Sequence, residues 1–402
     1  AAATALLQNI LTADPKNLTV RIALADTLAH ERSFAEAERL LETAAGPRSG
    51  PEVPRALARV YLAARDFEKA NAALDRATAL EPQNAEVASD AGALLLQANQ
   101  YDAALARFRK ATQLAPANVE YWFDAAKAQL AMNQPLAAHG SLEKALETEP
   151  GWLPAVSGLT LIDLRAKDYA SASARVNQYL ASHPGDPDGL RLEAEVDVAA
   201  GRLADAAAAL NEAQQRRPDA DVAVRLFELR EAEHVPDPQE PLDHWLALRP
   251  DDSMVRTVLG NYYMGEHNLR EAANEFDAVV KRSPADVVAL NNLAWVYDES
   301  GDPRALALAE QAHKLAPNAP NVTDTLAWIL ARHHQVERAL PLSAEAAKAG
   351  SGDPNIEYHY AYILVQAGRR AEAREVLTKL LAGRQAFDSR QAAQQLLTSL
   401  KV

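Results

Sequence analysis

One short stretch of the sequence carries side chains that could bind a ligand. Residues 290–302 read LNNLAWVYDESGD, and apolar residues at i, i+3, i+4 and i+7 from Leu290 form one apolar face of a helix. Trp295 lies off that face, on a second stripe with Asn291 and Asp298. A planar ring beside an amide and a carboxylate can stack on a ligand and hydrogen-bond to it. The stripe is therefore either a binding surface or a second buried face.

No motif in the sequence indicates catalysis. A glycine-rich phosphate loop, a GxSxG elbow and an HExxH motif are all missing. His333 and His334 are adjacent, so on a helix they diverge by about 100° and cannot simply chelate one ion. We expect these two and His30 to be surface or turn residues, and His359 to pack or to hydrogen-bond. The sequence predicts no catalytic residue, no metal site and no cofactor.

The composition argues against several classes of protein. The 402 residues carry a formal net charge of −14, whereas a nucleic-acid binder needs a basic surface. Cysteine is absent, which excludes disulfides and thiolate metal sites. No run of about eighteen apolar residues could span a membrane. Much of the apolar content is alanine, which suits closely packed helices.

Prolines mark an internal period in the chain. Five of them follow one another at intervals of 34 residues: Pro82, Pro116, Pro150, Pro184 and Pro218. Between two prolines lie two amphipathic segments with a short turn, such as AEVASDAGALLLQAN and AALARFRKATQLAP. This period predicts helix pairs that stack on their neighbours, because no single pair can bury its own apolar face.

These repeats resemble the tetratricopeptide repeat (TPR) over essentially the whole chain. One unit matches the family motif at Gly92, Ala104, Phe108, Ala111 and Pro116. The resemblance implies an all-α fold, a right-handed TPR superhelix (α-solenoid) of about eleven helix–turn–helix repeats with a C-terminal capping helix. Small motif residues let two helices approach closely, and larger ones fill the space between repeats.

The repeat frame divides the chain into five segments. They are, in order, helix B of a truncated upstream repeat (1–17), an N-terminal TPR array (18–234), a proline-rich irregular joint (235–241), a C-terminal TPR array (242–385) and a capping helix (386–402). The half repeat at the start predicts that further repeats precede it. The segment 235–241 is either a hinge or a tolerated surface insertion. The junctions at 46–54 and 349–354 are also looser than the others.

In the TPR family, positions 2, 5, 9, 12 and 13 of the first helix line the concave surface. Carried onto this chain, the frame places an aromatic ladder in the C-terminal third. The implied ligand-binding groove consists of Asn261, Asn291, Trp295, Asp298, Asn321, Asp324, Trp328, Tyr358 and Tyr362. The alternative is that a tight superhelix buries this face, so that the tryptophans are core residues. The carboxylate clamp of some TPR domains is not indicated, because Thr257 occupies the lysine position.

The C-terminal third, including ALNNLAWVYDESGDPRALALAEQAHKLAPN, resembles more narrowly the large TPR proteins encoded with bacterial exosortase/PEP-CTERM and exopolysaccharide systems. This resemblance implies a non-enzymatic scaffold that binds a protein or peptide of a secretion or polymer-export machinery, or a polysaccharide. It also implies a periplasmic location and association with the outer membrane through an anchor that precedes residue 1. A cytoplasmic TPR adaptor or co-chaperone, and the repeat region of a larger enzyme such as a glycosyltransferase, remain open as alternatives.

Overall fold

The computed structural model describes residues 2–44, 50–383, 386–387 and 389–400, and within these ranges every regular element is a helix. The helices are α1 (Ala2–Ala13), α2 (Leu18–His30), α3 (Phe34–Glu42), α4 (Glu52–Ala63), α5 (Phe67–Leu80), α6 (Ala85–Gln97), α7 (Tyr101–Leu114), α8 (Val119–Ala131), α9 (Pro135–Thr148), α10 (Leu153–Arg165), α11 (Tyr169–Ser182), α12 (Pro187–Ala199), α13 (Leu203–Arg216), α14 (Ala220–Ala232), α15 (Glu240–Leu248), α16 (Ser253–Gly265), α17 (Leu269–Arg282), α18 (Val287–Glu299), α19 (Ala305–Leu315), α20 (Pro320–Arg332), α21 (Val336–Ala349), α22 (Pro354–Gln366), α23 (Arg370–Ala382) and α24 (Arg390–Ser399). The chain contains two compact units, Ala1–Arg216 and Arg217–Val402.

Within the described ranges the helices form eleven consecutive pairs, from α2–α3 to α22–α23, with α1 before them and α24 after them. Each first helix packs on the second helix of its own pair. Several first helices also pack on the first helix of the next pair, as α18 does on α20 and α20 on α22. The predicted all-α helical repeat fold of about eleven helix pairs is confirmed.

The turn inside each pair is closed by one backbone arrangement. Soon after each first helix ends, one residue has a positive φ; these residues are Arg32, Arg65, Asn99, Asn133, Lys167, Gly201, His234, His267, Gly301, His334 and Gly368. The next residue donates its N–H to a carbonyl five residues back, as Gln100 does to Leu95 at 2.8 Å. This is the Schellman motif, which satisfies carbonyl groups at the end of the first helix. Because most of these residues are not glycine, most turns carry a conformational cost.

Close approach between paired helices depends on small residues. A Cβ atom built on Gly92 would lie 2.6 Å from Cε1 of Phe108, and one on Gly260 would lie 2.8 Å from Cε1 of Phe276. Both phenylalanine side chains are fully buried. The glycine therefore provides the space that the ring fills, in the first unit as in the second.

Clefts in the first unit open between successive second helices. They measure 530 to 640 Å³ and lie between α5 and α7, α9 and α11, and α11 and α13. Opposite two of these clefts the first helices contact each other, α4 with α6 and α10 with α12. In these repeats the first helices are therefore closer together than the second helices.

The ends of the array differ. At the C-terminus, α24 packs on α23, where Ala393 and Leu400 are buried in one cluster with Leu377, so the predicted capping helix is confirmed. At the N-terminus, α1 packs on α2 and leaves Leu6 and Ile10 exposed. That further repeats precede α1 stays a prediction.

The predicted joint at 235–241 lies in the second unit, between α14 and α15. Arg230 spans this connection, because it forms an ion pair with Glu240 at 2.8 Å and donates to the carbonyl of Asp237 at 3.2 Å. The boundary between the two compact units falls earlier, after Arg216. Motion at 235–241 stays a prediction. Part of the loose junction at 46–54 lies outside the described residues.

The left-handed turn residues allow a paired test. At Gly301, with φ +72°, nothing lies within 4 Å of an added Cβ, so Gly301→Ala should lower the free energy of unfolding by about 1 kcal/mol through backbone strain alone. Lys167, with φ +59°, has that strain already, so Lys167→Gly should raise stability by a few tenths of a kcal/mol or more. Urea titration measures both changes. Lys167→Ala is the control, and a gain as large as that of Lys167→Gly would contradict this account.

The glycine–phenylalanine contact predicts a rescue. Gly260→Ala should destabilise the protein by about 1–3 kcal/mol through overpacking against Phe276, although alanine normally favours a helix. Adding Phe276→Leu should recover part of that loss, because the shorter side chain makes room for the methyl group. Calorimetric melting of the single and double variants measures the coupling. Strictly additive effects would show that the two residues do not compete for the same space.

Candidate functional site

The predicted groove residues lie on four first helices of the second unit, α16, α18, α20 and α22. Three of these helices begin in the same way. The side chain of an aspartate just before the helix accepts a hydrogen bond from the backbone N–H of the residue three positions later: Asp252 at 3.1 Å, Asp286 at 3.0 Å and Asp353 at 3.4 Å. The fourth, α20, begins at Pro320, whose fixed φ suits the first turn. Equivalent starts place equivalent positions of each helix on the same face. We call the residues at positions 2, 5, 9, 12 and 13 of these four helices the groove face.

The groove face mixes exposed, half-buried and buried side chains. The aromatic side chains of Trp295, Trp328 and Tyr362 are half-buried. Tyr358 is only 9% exposed, so it belongs largely to the core. The other predicted residues are exposed (Asn261, Asn321) or buried (Asn291, Asp298, Asp324). The two tryptophans are thus neither sealed between helices nor free in solvent, and their binding role stays a prediction.

An aromatic cluster surrounds Trp328. Its ring centroid lies 5.0 Å from that of Tyr362 and 6.3 Å from that of Tyr358. The imidazole of His359 is stacked on the indole at 4.1 Å with an interplanar angle of 29°. One face of the indole is therefore covered by a neighbour on α22, and Tyr362 lies beside it.

A buried carboxylate holds that imidazole in place. His359 Nδ1 lies 2.7 Å from Asp324 Oδ2, a contact between α22 and α20. The other oxygen of Asp324, Oδ1, is buried and has no hydrogen-bond donor. His359 thus both packs and hydrogen-bonds, and Asp324 keeps one acceptor unused.

An amide chain links α18 to α16. Asn291 Nδ2 donates to Asn292 Oδ1 at 3.5 Å, and Asn292 Nδ2 donates to Asn261 Oδ1 at 2.9 Å. Asn291 Oδ1 is buried without a donor. These side-chain amides therefore connect the two helices, and one buried acceptor, Asn291 Oδ1, has no donor.

Asp298 belongs to a cluster of charged side chains between α18 and the end of α20. Its carboxylate lies 2.9 Å from the Arg332 guanidinium and 3.3 Å from His333 Nε2. Arg332 also pairs with Glu299. Burial raises the pKa of the Asp298 carboxyl above its ordinary value, and Arg332 and His333 oppose that rise. The guanidinium is thus already shared by two carboxylates.

Sequence reasoning missed two groove-face residues. Met254 and Val288 occupy position 2 of α16 and α18 and are 45% and 55% exposed. Asn321 and Asn355 hold the same position in the next two repeats. Counting this position two repeats further back would have found the apolar pair, which continues the groove face past the aromatic cluster.

The equivalent positions of the first unit are used differently. Arg59 and Asp26, both at position 9, form a bidentate ion pair at 3.0 and 2.8 Å. Arg55 pairs with Asp90 in the same region. Charged side chains there satisfy one another, so that face offers no aromatic ladder.

The described residues offer neither a metal site nor a membrane-spanning helix. Among the side chains that the structure describes, no group of three or more histidine, aspartate or glutamate residues is arranged to hold a metal ion. None of the described helices combines the length and the apolar character needed to cross a membrane.

Comparison with protein families identifies the repeat. Residues 1–53 and 95–161 match one model described as tetratricopeptide repeat, and residues 55–119, 161–221 and 257–320 match a second model of the same description. Together these matches cover well over half of the chain. The chain therefore belongs to the tetratricopeptide repeat family, whose repeats form scaffolds suited to protein interaction.

Individual proteins are similar to this chain only in part. The TPR repeat-containing protein PA4667 of Pseudomonas aeruginosa is 27% identical over 177 residues, which cover 41% of this chain and 29% of that relative. The chain thus spans less than a third of the length of this curated relative. Among crystal structures, a chain of the APC/C hetero-tetramer Cut9-Hcn1 matches with a TM-score of 0.44 at 12% identity, and the match covers 97% of this chain and 98% of that one. Yeast Tom70 matches with a TM-score of 0.40 at 13% identity, and the match covers 88% of this chain and 96% of the Tom70 chain.

The Asp324–His359 contact predicts a measurable coupling. In a double-mutant cycle of Asp324→Asn and His359→Gln, the coupling energy should reach about 1 kcal/mol, because the contact is largely shielded from water. The exposed pair Lys144 and Glu147 provides the control cycle and should couple by no more than about 0.5 kcal/mol. Urea titration measures both cycles. Equal coupling in the two would contradict a structural role for the buried pair.

Proposed function

We propose that this chain is a non-enzymatic scaffold that binds a partner on the groove face of its second unit. The observation that carries this proposal is the row of half-buried rings at position 9 of α18, α20 and α22: Trp295, Trp328 and Tyr362. Rings that are packed on one side and open on another supply contact area at low entropic cost. The exposed Met254 and Val288 extend this surface.

We further propose that the scaffold serves bacterial exopolysaccharide or PEP-CTERM export, with a secretion-machinery peptide or a polysaccharide as its ligand. The support is the resemblance of the C-terminal third to TPR proteins of those systems. The partly similar relative from Pseudomonas is also a bacterial TPR protein. In this proposal the chain works in the periplasm and is tied to the outer membrane by an anchor that precedes residue 1.

Site-specific photo-crosslinking tests the groove face. A benzophenone amino acid at Asn321, which is exposed on this face, should crosslink one discrete partner in cells that make the full-length protein. The same group at Glu310, exposed on the second helix α19, should not. Combining the label with Trp295→Ala and Trp328→Ala should remove the crosslink and leave the helical circular dichroism largely intact.

Two outcomes would contradict the proposal. Equal crosslinking at positions 321 and 310 would show that the groove face is not selective. Loss of helicity in the double tryptophan variant would assign both indoles to the core, as in the alternative interpretation of the sequence.

A further inference from the structure

We infer that the groove face recognises a cationic side chain, a lysine or arginine of an extended partner peptide, at the cluster of Trp328, Tyr362 and Asp324. This inference rests on the proposed function, since it names the chemistry of the ligand for the same surface. Three features of the groove face support it: its charge, its buried acceptors and its rings.

The groove face is negatively charged. Among its positions on α16, α18, α20 and α22, the charged residues are three carboxylates, Asp298, Glu299 and Asp324, and one guanidinium, Arg332. With histidines neutral the face therefore has a formal charge of −2. Nη1 of Arg332 contacts both Asp298 and Glu299, so its positive charge is offset by two neighbouring carboxylates. The carboxylate of Asp324 is buried, where its field is screened less than at the surface.

The buried polar atoms of the groove face without a hydrogen-bond partner are acceptors. Oδ1 of Asn291, of Asp324 and of Asn355 is buried in each case and has no donor. These oxygens lie beneath the surface, so they add negative potential to the groove face rather than direct bonds to a ligand. A positively charged ligand is favoured by this arrangement, whereas a carboxylate, a phosphate or an acidic sugar would meet negative potential.

The aromatic rings of the groove face also attract a cation. The face of a tryptophan or tyrosine ring carries negative charge density and attracts a cation within about 6 Å. His359 covers one face of Trp328, so the remaining indole surface and the ring of Tyr362, 5.0 Å away, are left for the ligand. A neutral sugar could stack on these rings but would gain nothing from the charge. Lysine and arginine gain from both, so the combination favours a basic peptide over a polysaccharide.

Isothermal titration calorimetry with defined probes tests this inference. The probes are acetyl-(Gly-Arg)4-amide, its serine and glutamate counterparts, and cellohexaose. The arginine peptide should bind most tightly and the glutamate peptide should not bind. Asp324→Asn should weaken arginine-peptide binding about tenfold. Glu345→Gln, the same change of charge at an exposed site on the second helix α21, should leave binding nearly unchanged.

The other outcomes overturn the inference in ways that separate it from the proposed function. Equal binding of the arginine and serine peptides would leave a binding groove without charge selection. Equal weakening by Asp324→Asn and Glu345→Gln would show that the peptide follows the net charge of −14 rather than this cluster. Preferred binding of cellohexaose would make the surface a sugar site. Binding of none of the probes would reject a cationic ligand, while the crosslink at position 321 would still decide whether a partner uses the groove face.

Discussion

A single helix pair of this protein cannot bury its own apolar face, and this constraint governs the rest of the structure. Within each unit, each pair must therefore stack on the next, and the stack must be close. Gly92 against Phe108 and Gly260 against Phe276 show how the closeness is achieved, because a methyl group on either glycine would overlap the ring. The Schellman turn then ends the first helix in the same way in all eleven described pairs.

Stacking at a constant interval brings equivalent side chains of successive first helices next to one another. What that face does depends only on which residues occupy it. In the first unit, Arg59 and Asp26 pair with each other and need no ligand. In the second unit the same position holds Trp295 and Trp328. The helix pairs of the two units are thus built alike, and the chemistry of each groove is set by the side chains that occupy these positions.

Much of the fold could be predicted from the sequence, because proline spacing and small residues at fixed offsets report directly on the stacking of neighbours. The groove face was harder to predict. Periodicity places Trp328 and Tyr358 on it, but burial depends on the angle between α20 and α22, which leaves Trp328 half-buried and Tyr358 almost covered. The contact of Asp324 with His359, 35 residues away, also follows from that angle and has no signal of its own in the sequence.

Packing and binding are not exclusive roles for the rings of the second unit. His359, held by Asp324, fixes one face of Trp328 and so orders the indole before any ligand arrives, which lowers the entropic cost of binding. The same contact sets the buried Asp324 carboxylate on the helix that carries Trp328, so the residue that orders the ring in the free protein is also the one whose charge the proposed cationic ligand would meet.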